Sequence, residues 1–395
     1  MISFKEMGLS PEITEALDGL GFKKPFPIQE KVIPLLWSGT DVIGQAHTGT
    51  GKTAAFGLPI LEIIDEGNPA VQALIVVPTR ELAVQVEKDI NSYAKNTGKR
   101  ALALYGGESI YAQLDALRDH PQVIVGTPGR LLDHIGGDSL KLDRVSCVVL
   151  DEADRMLDMG FIEDVEKILK TVKGEHQTAL FSATIPQNLL ELARKYMKNP
   201  REILIESDDL NVTEIEQYYV PVDSRNKTQA LLDLLNSEHV ERAILFCRTK
   251  RDTFWMDRLL HDRRIPSVAI NGDLTQNQRD WAMDAFEKGR RRILVATDLA
   301  GRGLDIEGIT HIINIDVPDD PYTYFHRIGR TGRAGRKGIA ITIVSPDQRS
   351  NFERIQEMGG HIIKPFSVPN AGPPRQASDW SRSTNRRPFR QVRCV

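Results

Sequence analysis

The sequence predicts an α/β protein of two tandem domains, each a mostly parallel sheet flanked by helices, joined by a short linker. Three observations predict it. Short runs rich in Val, Ile and Leu recur at strand length; the stretches between them carry helical apolar spacing; and the series stops at a polar stretch near 206–211 and then begins again. Strands that are apolar nearly throughout, rather than alternating, are those covered on both faces, as in a parallel sheet with crossover helices.

In the first series the apolar runs place strands at 41–44, 73–77, 101–105, 122–125, 147–150 and 178–181. Apolar residues at helical spacing place helices over 80–93 and 162–172. In the second series strands fall at 243–247, 267–270, 292–296, 311–315 and 338–344, with helices over 250–263 and 276–287. The domains are therefore drawn as 1–208 and 209–369. Residues 370–395 turn to Pro, Ser, Asn and Arg with few aliphatics, and such a segment cannot bury enough apolar surface to offset its ordering entropy, so a disordered, Arg-rich tail is expected.

The 395 residues are 41% hydrophobic and 27% charged, a globular mix, with a net charge of −3. That balance argues against a protein that coats nucleic acid by bulk positive charge, but it hides a distribution. Residues 1–208 are net −8, residues 209–369 are neutral, and residues 370–395 are net +5. No apolar run approaches the roughly 18–20 residues needed to span a bilayer, and Met1-Ile2-Ser3-Phe4-Lys5-Glu6 does not open a secretory signal. Cys147, Cys247 and Cys394 are far apart and odd in number, so neither a disulfide framework nor a zinc site is expected. Cys147 and Cys247 lie in apolar runs and read as buried, inert thiols, with a reducing cytoplasm as the expected compartment.

Two motifs carry chemistry. Ala46-His47-Thr48-Gly49-Thr50-Gly51-Lys52-Thr53 follows the first predicted strand and precedes a helical stretch, as a phosphate-binding loop does, with Ala46 where the stricter pattern has glycine. Glycines turn backbone N–H groups toward phosphate oxygens, and the helix N-terminus adds a favourable dipole. Lys52 is the candidate to neutralise the β- and γ-phosphates and Thr53 a candidate Mg²⁺ ligand. Asp151-Glu152-Ala153-Asp154 ends an apolar strand, where α/β sheets place their ligands. Asp151 reads as the second Mg²⁺ ligand and Glu152 as the base that activates water, so the pair predicts an ATPase.

Asp-Glu-Ala-Asp beside Ala-x-Thr-Gly-x-Gly-Lys-Thr resembles the DEAD-box RNA helicases, and further motifs follow in that family's order. They are Gly21-Phe22-Lys23-Lys24-Pro25-Phe26-Pro27-Ile28-Gln29, Pro78-Thr79-Arg80-Glu81-Leu82-Ala83, Gly106-Gly107, Thr127-Pro128-Gly129-Arg130 and Ser182-Ala183-Thr184. In the second domain come Phe246-Cys247-Arg248-Thr249-Lys250, Gly272-Asp273-Leu274-Thr275-Gln276, the run from Ala296 to Asp305, and His326-Arg327-Ile328-Gly329-Arg330-Thr331-Gly332-Arg333. The resemblance covers roughly residues 4–365 and is closest to bacterial cold-shock and ribosome-assembly members. It implies two tandem RecA-like domains that use ATP and Mg²⁺ to bind the RNA backbone without reading sequence and to unwind short duplexes locally.

It also implies roles, residue by residue. Gln29 reads adenine, with Phe22 stacking on the base and Phe4 behind it. Thr48, Gly49, Thr50, Gly51, Lys52 and Thr53 hold the phosphates, and Asp305 holds the ribose. Glu152, Lys52, Arg330 and Arg333 are catalytic, the two arginines as fingers from the second domain, so hydrolysis requires domain closure. Asp154, Ser182, Thr184 and His326 couple hydrolysis to that closure. Arg80, Gly107, Thr127, Gly129, Arg130, Arg248, Gly272 and Thr297 are the expected RNA contacts, and contacts to 2′-hydroxyls favour RNA over DNA. The basic tail reads as an RNA-tethering arm or as a solubilising end. Three departures stand out: Phe26 for the usual threonine, His47 for glutamine, and Ala300-Gly301 for Ala-Ala. A monomer with no membrane contact is expected. Two rivals need the same motifs, an ATP-gated RNA clamp without unwinding and a DNA-directed motor.

Overall fold

The computed structural model describes residues 3–46, 51–204, 215–237, 240–301, 306, 308–332, 337–359, 363–366 and 368. These fall into two compact units, one ending at Leu204 and one beginning at Ile215. The predicted boundary at 208/209 and the tail 370–395 lie outside the described residues.

The first unit is built on β1 (Val42–Gln45), β2 (Ala73–Val76), β3 (Ala101–Leu104), β4 (Val123–Gly126), β5 (Cys147–Leu150), β6 (Gln177–Ser182) and β7 (Arg201–Leu204). They form one parallel sheet in the order β3-β4-β2-β5-β6-β1-β7. Successive side chains of a strand point to opposite faces, and here both faces are covered. Ala73 and Ile75 of β2 enter a core with Val32, Phe56 and Val86, whereas Leu74 and Val76 enter another with Leu131, Met156 and Ile168. That double burial is why the strands read as continuous apolar runs.

The second unit repeats the plan with β8 (Ile215–Pro221), β9 (Ala243–Cys247), β10 (Ser267–Ile270), β11 (Ile293–Thr297), β12 (His311–Asn314), β13 (Gly338–Val344) and β14 (Lys364–Pro365). Its parallel order, β10-β11-β9-β12-β13-β8-β14, is the first order with β8 in the place of β1 and each later strand in sequence. Some of the helices that follow the strands start at side-chain caps. The Thr79 hydroxyl accepts from the Leu82 amide before helix Arg80–Tyr93. Reciprocal capping boxes, Thr249 with Asp252 and Thr275 with Gln278, open helices Lys250–Asp262 and Gln276–Glu287. Asp320 caps helix Pro321–Ile328.

Three strands were not foreseen. β7 and β14 lie at sheet edges and are largely exposed, so neither carries an apolar run. In β8 the adjacent polar pair Glu216-Gln217 interrupts the apolar run. The two described cysteines are buried as expected, and burial pushes the Cys147 thiol up to about 12; Cys394 lies outside the described residues. Among the described residues no helix is long and apolar enough to cross a membrane.

One buried carboxylate fixes the β6-β1-β7 side of the first sheet. Asp41, 4% exposed, accepts from the Thr178 amide at 2.8 Å and the Lys198 amide at 2.6 Å, while its carbonyl accepts from the Arg201 amide. Removing it strands two backbone donors, at about 1–3 kcal/mol for each that stays buried. Asp41→Ala is therefore expected to destabilise the first unit by roughly 2–4 kcal/mol. The check is amide hydrogen exchange, with faster exchange along β6 and unchanged protection along β12.

Candidate functional site

All strands of a parallel sheet end on the same side, so the loops that follow them share one edge. In the first unit the ends of β1, β5 and β6 supply the nucleotide motifs. Gly51, at φ +83°, precedes helix Lys52–Ile63 as its N-cap, a left-handed conformation that suits glycine. Lys52, the first residue of that helix, is 7% exposed, donates to the Ala46 carbonyl at 3.1 Å and stands 3.9 Å from Asp151 Oδ1. Thr53 is half-buried beside it. His47, Thr48, Gly49 and Thr50 lie outside the described residues, as do Asp305 and Arg333.

Asp151 and Glu152 follow β5 and are both buried. Burial, relieved by the Lys52 charge, pushes the Asp151 carboxyl up to about 6. Its Oδ1 accepts from the Glu152 amide at 2.9 Å. Glu152 sits in the left-handed region, at φ 51° and ψ 49°, as the N-cap of helix Ala153–Asp158. Such a conformation costs a non-glycine residue on the order of 1–3 kcal/mol and gathers at functional sites. The Glu152 carboxylate meets the buried Arg155 guanidinium at 3.3 Å, a partner adjacent to the acidic motif that the sequence reading passed over.

The predicted coupling residues of the first unit meet. The Asp154 amide donates to Ser182 Oγ at 3.0 Å, and Asp154 Oδ2 accepts from both the Thr184 amide and its hydroxyl at 3.1 and 3.2 Å. The acidic motif after β5 is thereby tied to the end of β6. Gln29 is fully buried: its Oε1 accepts from the Phe26 amide, and its Nε2 donates to the Gly51 carbonyl at 3.0 Å. One donor and one lone pair of the amide remain, the set that adenine's paired edge requires. Phe22 packs edge-on between Phe4 and Tyr93, with ring centroids 6.0 and 5.8 Å away. Phe26, the first departure, lies over Gly51, where an added Cβ would approach its ring to 2.9 Å.

The ends of β2, β3 and β4 supply the expected nucleic-acid contacts, and these three strands are neighbours. Arg80 lies over the loop that holds Gly106 and Gly107, and a Cβ at Gly107, whose φ is +92°, would collide with its guanidinium. Thr127 opens helix Pro128–Gly136 without a side-chain cap bond, which leaves its hydroxyl for another partner. A Cβ at Gly129 would meet nothing within 4 Å, and its φ is not positive. The fold has no need of glycine there.

Arg130 is braced from within the first unit. Its guanidinium donates to Gln113 Oε1 at 2.7 Å and to the Glu108 carbonyl at 3.0 Å, and its side chain is only 10% exposed. Gln113, absent from the sequence reading, is the hub: its Nε2 donates to the Tyr105 carbonyl and Glu108 Oε2, and its Oε1 also faces His134 Nε2 at 3.1 Å. Burial and the nearby Arg130 charge lower the His134 pKa, and Gln113 Oε1, which can only accept, takes a hydrogen bond from Nε2–H. The network joins the Gly106-Gly107 loop to the Thr127–Arg130 turn from behind.

The second unit repeats this division. Arg248, Gly272 and Thr297 come from the ends of the neighbouring strands β9, β10 and β11. Arg248 is half-exposed and pairs with Asp319 at 3.1 Å, and the Lys250 side chain lies against Gly272. Gly301, the other described departure, is where a Cβ would come within 2.5 Å of Phe246. His326 is half-buried in helix Pro321–Ile328, and Arg330, 3% exposed, donates Nε–H to the His326 carbonyl at 3.3 Å. The neighbouring Arg327, not singled out in sequence, grips Asp298 through two bonds of 2.5 and 2.8 Å and also donates to Asn314 and the Asp316 carbonyl. At the seats that Lys52 and Asp151 occupy in the first sheet, the second has Lys227, first in helix Lys227–Ser237, and Asp316, just beyond β12. They pair at 2.7 Å and Gln348 bonds to both; burial pushes the Asp316 carboxyl up, but the Lys227 bond and charge, the Gln348 bond and the Arg248 charge together hold it below the usual carboxylate range.

Comparison with known proteins agrees with this geometry. Residues 26–192 match the DEAD/DEAH box helicase family, and residues 226–335 match the helicase conserved C-terminal domain. The chain is 48% identical over 374 residues to the DEAD-box ATP-dependent RNA helicase CshA of Geobacillus kaustophilus, covering 94% of this chain and 80% of that one. Against the Bacillus subtilis protein of the same name identity is 46% over 356 residues, 90% of this chain and 72% of the other. Among solved structures, S. cerevisiae Dbp5 bound to RNA and ADP BeF3 superposes with a TM-score of 0.84 at 32% identity, covering 93% of this chain and 96% of that one. Mss116p bound to ssRNA and AMP-PNP follows at 0.81 and 28% identity, covering 93% and 79%. With matches of this extent in both units, the chain belongs to the DEAD-box ATP-dependent RNA helicases.

Proposed function

We propose that this chain is an ATP- and Mg²⁺-dependent RNA helicase that grips the RNA backbone and opens short duplexes locally, in a cytoplasmic setting. One observation carries the reading: each sheet edge is split between two tasks. The ends of β5, β6 and β1 gather Asp151, Glu152, Ser182 and Lys52, while the ends of β3, β4 and β2 gather Gly107, Thr127, Gly129 and Arg80. The second unit offers Gly272, Thr297 and Arg248 at the corresponding strands. A nucleotide and a backbone ligand thus have adjacent but separate seats.

In this reading residues 1–208 bind ATP and residues 209–369 complete the site on closure. Lys52 neutralises phosphate charge, and Glu152 takes the proton of the attacking water. Thr53 and Asp151 would hold Mg²⁺, which spreads charge off the phosphates when bound. The residues fit such an ion: Asp151 is a buried carboxylate only partly compensated by a lysine 3.9 Å away. Among the described residues no cluster of three or more metal-ligating side chains occurs, as suits an ion bound by one or two protein oxygens, water and phosphates. Arg330 and Arg333 serve as fingers, and Arg330 must leave its bond to His326 to do so. Asp154, Ser182, Thr184 and His326 transmit closure. Base-pair steps cost only about 1–2 kcal/mol each, so one cycle can open a short duplex locally.

The discriminating experiment compares ATP hydrolysis stimulated by single-stranded RNA and by matched DNA. RNA is expected to stimulate well above DNA, and equal stimulation would sink the RNA assignment. Glu152→Gln, the control, is expected to lower turnover by about 10²–10⁴-fold while retaining ATP and RNA binding. Gly129→Ala separates fold from function: a helical alanine in place of glycine should stabilise the first unit by about 0.5–1 kcal/mol. The same Cβ should weaken RNA binding several-fold. Thermal unfolding and RNA titration read the two effects, and unchanged RNA affinity would remove Gly129 from the contact surface.

A further inference from the structure

Helix Lys250–Asp262 buries Thr253, Met256 and Leu260 and turns another face to solvent. On that face Phe254 is 46% and Trp255 52% exposed. Arg251 lies three and four residues before them and Arg258 four and three after, spacings that make helix-surface neighbours. Both arginines are exposed, and neither is hydrogen-bonded or ion-paired to another described residue. His261 extends the row by one turn. Four side chains, two aromatic and two cationic, thus form one contiguous stripe.

Its position gives it meaning. The helix starts beside Arg248, and its first side chain, Lys250, lies against Gly272, so the stripe continues from the nucleic-acid half of the second sheet edge. Residues 250–264 hold five basic residues against three aspartates, in a domain of zero net charge. Two of those aspartates are committed locally, Asp252 to Thr249 and Asp257 to Ser267.

We infer that this stripe binds single-stranded RNA that runs beyond the helicase core, with bases stacking on Phe254 and Trp255 and phosphates on Arg251 and Arg258. Aromatic rings set between cations serve any base sequence, because every base has a stacking face. A protein partner would also use Trp and Arg; the unpaired cations and the continuity with the RNA half favour the polyanion. The inference rests on the RNA-helicase reading above.

The test compares a core-length single strand of about six nucleotides with strands of about 20 extended at either end. Wild-type protein is expected to bind an extended strand more tightly than site statistics allow, with quenching of tryptophan fluorescence that Trp255→Phe removes. The exposed double variant Phe254→Ser/Trp255→Ser should lose at least five-fold of that length-dependent gain. It should keep wild-type affinity for the short strand and wild-type ATPase stimulation by it. Arg251→Gln/Arg258→Gln should flatten the salt dependence for the extended strand by about 1.4 in log–log slope, two phosphate contacts' worth. An undiminished length gain in the aromatic variant overturns the inference and leaves the stripe to a protein partner. ATPase stimulation by the short strand reads the core separately: its absence in the wild type would overturn the helicase reading instead.

Discussion

Because every strand of each sheet runs in the same direction, the backbone delivers all its strand-following loops to one edge, and the other end is left to structural turns. This constraint organises both units. It requires crossover helices on both faces, which demand apolar side chains on both sides of every central strand and produce the two cores around β2. It also concentrates functional groups: residues far apart in the chain, such as Lys52, Asp151 and Ser182, follow neighbouring strands in space. Asp41, at the opposite end of β1, holds the frame from which that edge projects.

In the proposed reading, electrostatics divides the labour within the edge. The nucleotide half is acidic, with Asp151, Glu152 and Asp154 together in sequence after β5, Asp151 beside one lysine and Glu152 beside one arginine. Such a cluster is poor company for a polyanion unless cations enter with it, which suits a nucleotide that travels with a divalent ion. The nucleic-acid half presents a guanidinium, hydroxyls and tight glycine turns, groups that meet phosphate and sugar without reading bases. The link from Asp154 to Ser182 and Thr184 joins loops within the first half, while the Gln113 network braces the second from beneath.

Much of this was legible in the sequence for identifiable reasons. Central strands announce themselves because both their faces are buried; β7 and β14, at the edges, leave no such trace. Phosphate chemistry demands glycine, lysine and hydroxyl at fixed spacing, so the loop ending at Thr53 and the carboxylates at 151–154 could be read directly. Gln113 could not, because its partners come from Tyr105, Glu108, Arg130 and His134, assembled only by folding. For the same reason the sequence does not show that Arg130 bonds to Gln113 and the Glu108 carbonyl. Arg327 shares a motif with Arg330 and both are 3% exposed, so only the partners that folding assembles, Asp298, Asn314 and the Asp316 carbonyl, distinguish the residue that anchors Asp298 from its neighbour.

The recurrence of one strand order in both sheets has a consequence for stoichiometry. Two copies of a nucleotide-holding frame invite two nucleotides, yet the second frame has closed its own seat. Lys227 is already neutralised by Asp316 at 2.7 Å, with Gln348 bridging them. The turn before it, Val222-Asp223-Ser224-Arg225-Asn226, contains no glycine to bare its amides. In the first frame the equivalent lysine keeps 3.9 Å from its carboxylate and retains charge for a phosphate. In the proposed reading, a difference of about an ångström between matched ion pairs separates a seat open to a phosphate from one already filled, so that the chain would hold a single ATP at a time.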